Sequence, residues 1–381
     1  MVNTGQGDDA GEGGTFSQEI IQIPRDISLL DLADYKNNPF NMPGNFYTPY
    51  AQNPYFIINE NATVINEDRF FGNLNLGYAF DEYFSASWQI GGDIRNERVN
   101  SHGAIVEYPE GSAQDLLIAT EVVGGVTELK RTRKEYDTYF NLNYDRYLTE
   151  DFHLNLLAGA TYNERQTSLL NVSITDLDIP NYYELGNTAN SPVVVQADLK
   201  RRSYGVYAQA ELGYLNRFFL NLTARNDWSS TLPIENNSFF YPSASLSAVI
   251  LDSNQAYLKL RGAWSRVGND TDAYLTESTL IQGVATSYFG TITFPIGGVN
   301  AYELSPQLGN ENLKPETTDE VEVGFESTFF NNRINLDVSL YQRNTSDLIV
   351  NLLRLIPLQV SLFLQEILLT FRTVELKPYL E

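Results

Sequence analysis

Residues 73–92, NLNLGYAFDEYFSASWQIGG, alternate apolar and polar side chains on both sides of a short acidic turn, Asp81-Glu82. The apolar parity before and after this turn is made of Leu74, Leu76, Tyr78, Phe80, Phe84, Ala86, Trp88 and Ile90. Successive side chains on a β-strand point to opposite faces of a sheet. The stretch therefore predicts an antiparallel hairpin with one apolar face and one polar face.

The same pattern occurs five times along the chain. The predicted strand pairs are 68–80 with 83–98, 138–144 with 154–160, 204–214 with 218–224, 244–250 with 258–264, and 321–325 with 334–340. Long polar loops near 101–130, 169–196, 229–239 and 269–315 separate the hairpins. Short turns that alternate with long loops are typical of a transmembrane β-barrel, in which the short turns face the periplasm and the long loops face outside.

Charge also separates the two parities of these hairpins. None of the apolar side chains that define the hairpins is charged, whereas the other parity carries Asp145, Glu211, Lys259, Arg261, Glu322, Glu326 and Asp337, together with the polar Gln209. An Arg or Lys that faces lipid at the midplane destabilises a barrel by about 2–4 kcal/mol, so a lipid-facing row must stay uncharged. The pattern favours an all-β, antiparallel transmembrane barrel over a soluble β-sandwich, whose apolar face would turn inward.

Composition excludes several classes of protein. The 381 residues have a net charge of −23 and no Cys, which argues against a nucleic-acid partner and against thiol catalysis or thiolate metal sites. No run approaches the ~20 apolar residues of a spanning helix. The acidic loops fit a solvated surface, with divalent-cation binding at the cell surface as the alternative. Residues 1–20 lack a secretory signal, so we expect the chain to be incomplete, because a barrel must be exported.

Three segments differ in character. We expect residues 1–66, rich in Gly and Pro, to be an extracellular-type loop region with a short helix at 27–35, and residues 67–350 to hold the barrel strands. Residues 352–381 contain no Gly, Asn or Asp and are dominated by Leu and Ile. We expect the tail 351–381 to be non-native sequence that results from a shifted reading frame or a premature end. The alternative is an amphipathic helix.

Residues that could carry chemistry are few. His102 and His153 are far apart in sequence, with His102 in a predicted loop, so a metal-binding His cluster is not expected. Asp270-Thr-Asp272 resembles a calcium loop only loosely, and a solvated loop is the simpler interpretation. No catalytic, cofactor-binding, metal or substrate-binding residue is predicted, and an enzyme is not expected. Tyr139, Tyr207 and Tyr341 lie on the polar parity. Their rings could stack on sugar rings, and the alternative is that they fill the barrel wall or anchor its rim.

Three stretches resemble one family. They are RNDWSSTLP at 225–233, followed by SFFYPSASL at 238–246; LKLRGAWSRVGND at 258–270; and LGNENLKPETTDEVEVGF at 308–325. They resemble the SusC/RagA family of TonB-dependent outer-membrane transporters of Bacteroidetes, over about 20–350. From the residues alone, each motif ends a strand or begins the next one, since Trp favours the membrane interface and Pro315 suits the start of a strand.

The resemblance implies a bacterial outer-membrane protein that imports a glycan or peptide. It implies energy from TonB, a SusD-like lipoprotein above the barrel, outer-membrane lipid around it, and no cofactor. A plugged barrel of this kind has 22 strands, of which we count about ten, so we expect this chain to be a central part that cannot transport alone. A passive porin or surface-binding barrel is the alternative, and a soluble carbohydrate-binding β-sandwich is the third.

Overall fold

Ten strands form one sheet in a computed structural model that describes residues 16–48, 51–116, 122–253, 255–287, 290–294, 296–305, 307, 309–330 and 334–349. Eight of them precede a long connection, and two follow it. The strands are β1 Ala62–Ala79, β2 Phe84–Val106, β3 Val122–Tyr147, β4 Phe152–Thr175, β5 Val193–Tyr214, β6 Phe218–Ser229, β7 Ser238–Asp252, β8 Ala256–Asn269, β13 Glu316–Phe329 and β14 Ile334–Ser346. The strands lie side by side in chain order, with β13 beside β8 after the long connection, so the predicted five hairpins and ten antiparallel strands are confirmed.

The remaining elements are short. Strands β9 Leu280–Gln282 and β12 Tyr302–Leu304 form one small sheet, and β10 Val284–Ser287 and β11 Gly290–Thr293 form another. The helices are α1 Phe16–Gln22, α2 Pro54–Glu60 and α3 Ala113–Leu116, with 3-10 turns at Leu29–Ala33 and Pro43–Asn45. None of the helices in the described part of the chain is long and apolar enough to span a bilayer.

Several predicted boundaries are wrong. Strand β1 begins at Ala62, inside the expected loop region, and α1 and α2 also fall in that region. Half of the predicted loop at 101–130 is strand, because β2 continues to Val106 and β3 begins at Val122. Strand residues beyond the membrane do not face lipid and can carry charge on both faces. Their sequence therefore lacks the alternation of apolar and polar residues that predicts a strand. The predicted helix at 27–35 is a 3-10 turn, and the tail 351–381 lies outside the described residues.

The strand register keeps the two parities on separate faces. Ala208 pairs with Ala224, and Leu220 pairs with Leu246, so the apolar rows of neighbouring strands coincide. One register shift lies between Val249 and Leu251, where β7 meets β8. The extra residue of this β-bulge shifts the alternation of β7 by one, so that Leu251 pairs with the apolar-parity Leu258 beyond it.

The apolar parity is uncovered. Leu246, in the middle of β7, is 57% exposed, and Val323 of β13 is 55% exposed. No second sheet buries these rows in the described part of the chain. The β-sandwich alternative is therefore wrong, since its apolar face would be covered.

Aromatic rings mark both edges of the apolar face. At the short-turn end, Tyr214 lies 4.9 Å from Phe152 and 6.5 Å from Phe218, measured between ring centroids. At the opposite end, Tyr204 stacks on Trp228 at 5.0 Å with an interplanar angle of 13°. About ten residues of β5 separate the two levels, about 33 Å along a strand, or about 25 Å of height at the usual tilt. That height matches the apolar band of an outer-membrane barrel between its two aromatic girdles.

The chain divides into two compact units. The first comprises Met1–Phe71, Asp93–Lys134 and Gln166–Leu199. It holds three buried apolar clusters, whose members include Phe56 and Ile57 in the first, Leu32 and Phe46 in the second, and Val126, Ile174 and Leu177 in the third. The fully buried Asn53 side chain donates to the backbone oxygens of Leu32 and Asn41 and caps α2. This unit therefore has buried hydrophobic clusters and a buried, hydrogen-bonded polar side chain of its own.

The second unit comprises Gly72–Gly92, Glu135–Arg165 and Lys200–Glu381. It contains the short turns, the two aromatic levels and the apolar face between them. Both sides of this sheet matter for function, because its apolar parity suits lipid and its polar parity supplies hydrogen-bonding groups.

Candidate functional site on the polar face

An arginine-centred cluster lies on the polar face of β4 to β7. The Arg225 Nε donates to Asp227 at 2.9 Å and to the Tyr241 hydroxyl at 2.8 Å, and its Nη2 donates to Thr161 Oγ1 at 3.0 Å. The guanidinium carbon also lies 5.4 Å from the ring centroid of Tyr207. We call these five residues the Arg225 cluster. It ties four strands together and presents aromatic rings with hydrogen-bonding groups to one side of the sheet.

Two strand glycines make room for aromatic rings, one of them for Tyr207 of this cluster. A Cβ on Gly159 would lie 2.5 Å from Cζ of Tyr207, and a Cβ on Gly268 would lie 2.5 Å from Cδ2 of Phe239. The tip of the Tyr207 ring and one edge of the Phe239 ring therefore occupy the space that a side chain at each position would need. Aromatic cover of a strand glycine stabilises a sheet. Tyr207 also donates to Asn141 Oδ1. These contacts support a wall-filling role for Tyr207. Tyr139 is 39% exposed.

Asp270 joins the stretches that resemble the SusC/RagA family. Its side chain is only 7% exposed and accepts hydrogen bonds from Arg201 Nε at 3.0 Å, from Thr231 Oγ1 at 3.2 Å and from Ser229 Oγ. Ser229 and Thr231 belong to the first stretch, and Asp270 ends the second. The expectation of a solvated loop is wrong for Asp270, because residues of β5, of the end of β6 and of the loop after β6 all donate to its carboxylate.

The third stretch contacts the loop that follows β6. The Asn236 side chain of this loop donates to the backbone oxygen of Asn312 at 3.5 Å. Leu232 of the first stretch and Leu313 of the third are both buried. Each sequence motif by itself indicates a strand end, and no signal in a single sequence shows that the first two motifs share a carboxylate.

A second charged cluster lies on the polar face of β8, β13 and β14. Arg261 Nη2 lies 2.6 Å from Asp337 Oδ1, and Arg261 Nε lies 3.5 Å from Glu322 Oε1. Ser339 donates to Glu322 at 2.7 Å. The sequence assigned Arg261, Glu322 and Asp337 to the polar parity, and the structure brings them together there. Two carboxylates against one guanidinium leave this cluster with a net negative charge.

Ion pairs also line the polar parity of the first unit. Arg131 Nη1 lies 3.0 Å from Glu97 Oε1, and Arg95 pairs with both Glu97 and Glu67. Opposite charges alternate across β1, β2 and β3, so this part of the polar face has no strong field of one sign. Such a surface suits a polar solute better than a small ion of one charge.

The two histidines have different surroundings in the described part of the chain. Among the described residues, no group of three or more His, Cys, Asp or Glu side chains could hold a metal ion. His102 lies in β2 rather than in a loop, and its ring stacks on Tyr183 at 3.8 Å. Burial lowers the pKa of His102, so it stays neutral near pH 7. His153 Nε2 lies 2.9 Å from Asp145 Oδ1 on the polar face.

Comparison with known proteins shows to which family a sheet with one uncovered apolar face and one polar face belongs. The family described as "TonB dependent receptor-like, beta-barrel" matches residues 20–361. The chain belongs to this family. The exposed rows of the TonB-dependent receptor barrel therefore face outer-membrane lipid, and the polar face with its Arg225 and Arg261 clusters lines the barrel interior.

Curated relatives of this barrel come from Formosa and Bacteroides species. It is similar to TonB-dependent receptor P26 of Formosa agariphila, with 23% identity over 308 residues that cover 77% of this chain and 29% of the relative. It is also similar to TonB-dependent receptor SusC of Bacteroides thetaiotaomicron, with 26% identity over 294 residues, 68% of this chain and 28% of the relative. The resemblance to the SusC/RagA family is confirmed, and the chain spans less than a third of these relatives.

Solved structures agree on the fold. The structure of the RagAB peptide transporter superimposes with a TM-score of 0.63 at 18% identity and covers 78% of this chain and 32% of that one. The RagAB peptide importer in its closed-closed state gives 0.64 at 19% identity, with the same coverage. The ten-stranded sheet thus has the fold of part of these barrels and spans about a third of their length.

Proposed function

We propose that the protein to which this chain belongs imports a nutrient, a glycan or a peptide, across the bacterial outer membrane. The observation that carries the proposal is the two-sided sheet in a TonB-dependent receptor barrel. An uncharged row faces lipid, while the other face carries aromatic and charged groups that can bind polar solutes. RagAB, whose barrel shares this fold, is a peptide transporter, which supports peptide as one cargo class.

The import step would depend on partners. We propose a SusD-like surface lipoprotein above the barrel and a TonB complex that acts through parts of the protein outside this chain. The similarity to a receptor named SusC supports both partners. The chain covers 29% of its relative from Formosa agariphila, so its own residues would supply barrel wall and outer segments of the transporter.

A growth and uptake experiment tests the proposal. Deletion of the gene should abolish growth on one class of polymer, either oligosaccharides or oligopeptides, when that class is the sole nutrient. Uptake of the same labelled nutrient by the parent strain should stop when TonB is inactivated. Uptake that continues without TonB would instead indicate a passive porin, and unchanged growth and uptake after deletion would refute nutrient import.

A further inference from the structure

A basic cluster lies on the lipid-facing parity immediately beyond the outer aromatic level. Arg202 and Lys200 precede Tyr204 on the same face of β5, and Tyr204 stacks on Trp228 at 5.0 Å. Glu164 contacts both cations from β4. With Tyr162, these residues form what we call the Glu164 cluster. They lie outside the apolar band, at the level where lipid headgroups begin.

One carboxylate holds the two cations in place. Glu164 Oε1 lies 2.8 Å from Lys200 Nζ, and Glu164 Oε2 lies 2.7 Å from Arg202 Nε and accepts from the Tyr162 hydroxyl at 2.7 Å. Hydrogen bonds from Lys200, then Tyr162 and Arg202, lower the pKa of Glu164 to about 2. The carboxylate is therefore ionised at physiological pH, and the cluster carries a net charge of +1.

The cations are more exposed than the carboxylate that holds them. The Glu164 side chain is 16% exposed, while Lys200 is 37% and Arg202 is 54% exposed. The hydrogen bond to Glu164 uses Nε of Arg202, while more than half of the Arg202 side chain is exposed. A guanidinium edge beside an ammonium group is well suited to the oxygens of a phosphate.

An ion pair on the same parity of β8 and β13 lacks the net positive charge of the Glu164 cluster. Arg266 lies beyond Trp264 on β8 and binds Asp319 through two hydrogen bonds of 2.9 and 3.0 Å. One cation meets one carboxylate, so the pair is neutral. Arg266 lies two residues beyond Trp264, as Arg202 lies two residues beyond Tyr204. The pair thus differs from the Glu164 cluster chiefly in net charge, which makes Arg266 a matched control.

We propose that the Glu164 cluster binds a phosphate group of an anionic glycolipid in the outer leaflet. Basic residues beside the apolar part of a membrane protein attract anionic headgroups, at about fivefold in affinity for each Lys or Arg. The acyl chains of the same lipid would lie against Tyr204, Trp228 and the uncharged row beneath them. The site depends on the orientation of the sheet in the membrane and is independent of which nutrient is imported.

The test is lipid binding to the protein purified in detergent from outer membranes. Affinity is measured for bis-phosphorylated lipid A, for the same lipid without phosphates, and for inorganic phosphate. We expect the phosphorylated lipid to bind most tightly and the K200A/R202A variant to lose roughly twentyfold in affinity. R266A should bind as the parent does. Equal binding of both lipids, or unchanged binding by the double variant, would overturn the proposal. Inorganic phosphate that binds as tightly as the phosphorylated lipid would show a phosphate site and overturn the assignment to a lipid.

A variant of Glu164 gives a result of the opposite sign. Glu164→Gln keeps the shape of the side chain and raises the net charge of the cluster from +1 to +2. We expect tighter binding of bis-phosphorylated lipid A by about fivefold. A purely structural ion-pair cluster would show no such gain, so weaker or unchanged binding by E164Q contradicts the site even if the double variant fails to fold.

Discussion

The carboxylate of Asp270 is the group on which the outer ends of several strands converge. Asp270→Asn keeps the size of the side chain and removes the charge that faces the partly buried Arg201. We expect the free energy of unfolding to fall by about 2–4 kcal/mol, because a guanidinium is left without its counter-charge. Urea unfolding in lipid vesicles measures the change. Asp272→Asn, at an exposed position of the same loop, should change stability by less than about 0.5 kcal/mol, and equal effects would contradict the role of Asp270.

Tyr207 and Gly159 form a pair in which the ring needs the missing side chain. Gly159→Ala would place a Cβ 2.5 Å from Cζ of Tyr207, so we expect about 1–3 kcal/mol of destabilisation. Gly77→Ala in β1 meets no atom within 4 Å and should be neutral or slightly stabilising. The temperature at which the barrel unfolds in detergent measures both. In a Tyr207→Ala background the same Gly159→Ala change should have a smaller effect, and an undiminished effect would show that the ring is not the obstacle.

The short turns show how side chains fix an element. In the second hairpin, Thr149 Oγ1 accepts from the backbone N–H of Phe152 at 3.1 Å and of Asp151 at 3.3 Å. Asp81 Oδ1 does the same in the first hairpin, with Phe84 at 2.7 Å and Tyr83 at 2.8 Å. Two hairpins of unlike sequence thus close with one arrangement, in which an oxygen-bearing side chain satisfies turn N–H groups.

A substitution in the turn follows from this arrangement. Thr149→Ala should lower the free energy of unfolding by about 1 kcal/mol, because two turn N–H groups lose their acceptor. Thr149→Asp should retain most of the stability, since Asp81 serves in the equivalent turn. Glu150→Ala, exposed in the same turn, is the control and should be neutral. Urea unfolding in vesicles compares the three variants, and a Thr149→Ala protein as stable as the parent would refute the assignment.

At the same scale, the limits of prediction are visible in particular strands. The hairpins within the apolar band were predictable, because lipid on one side forces alternation from Leu74 to Ile90. The outer half of β3, from Val122 to Lys134, lies mostly in a predicted loop, because charge and polarity occur on both of its parities once no lipid is present. The shared carboxylate of Asp270 was also unpredictable, since its partners lie 69, 41 and 39 residues away in the chain.

At the scale of the whole molecule, the two faces of the sheet make opposite demands on charge. Leu246 lies in the middle of the apolar band, with Leu220 and Gly262 beside it in register. Ser245, its neighbour in the chain, lies on the polar face between Asn221 and Ala263. A change to Arg at each of these two adjacent positions introduces the same side chain and differs chiefly in the face that receives it.

Leu246→Arg should destabilise the inserted protein by about 2–4 kcal/mol, because the guanidinium would face hydrocarbon near the midplane. Ser245→Arg should be far milder, because the barrel interior is polar and Ala263 leaves space beside it. The measurement is the fraction of protein that folds into lipid vesicles and resists protease, with the same two variants expressed in cells to follow assembly in the outer membrane. If Ser245→Arg were the damaging change and Leu246→Arg the harmless one, the lipid-facing and interior faces would be exchanged. The placement of the Arg225 cluster in the interior and of the Glu164 cluster at the lipid surface would then fail together.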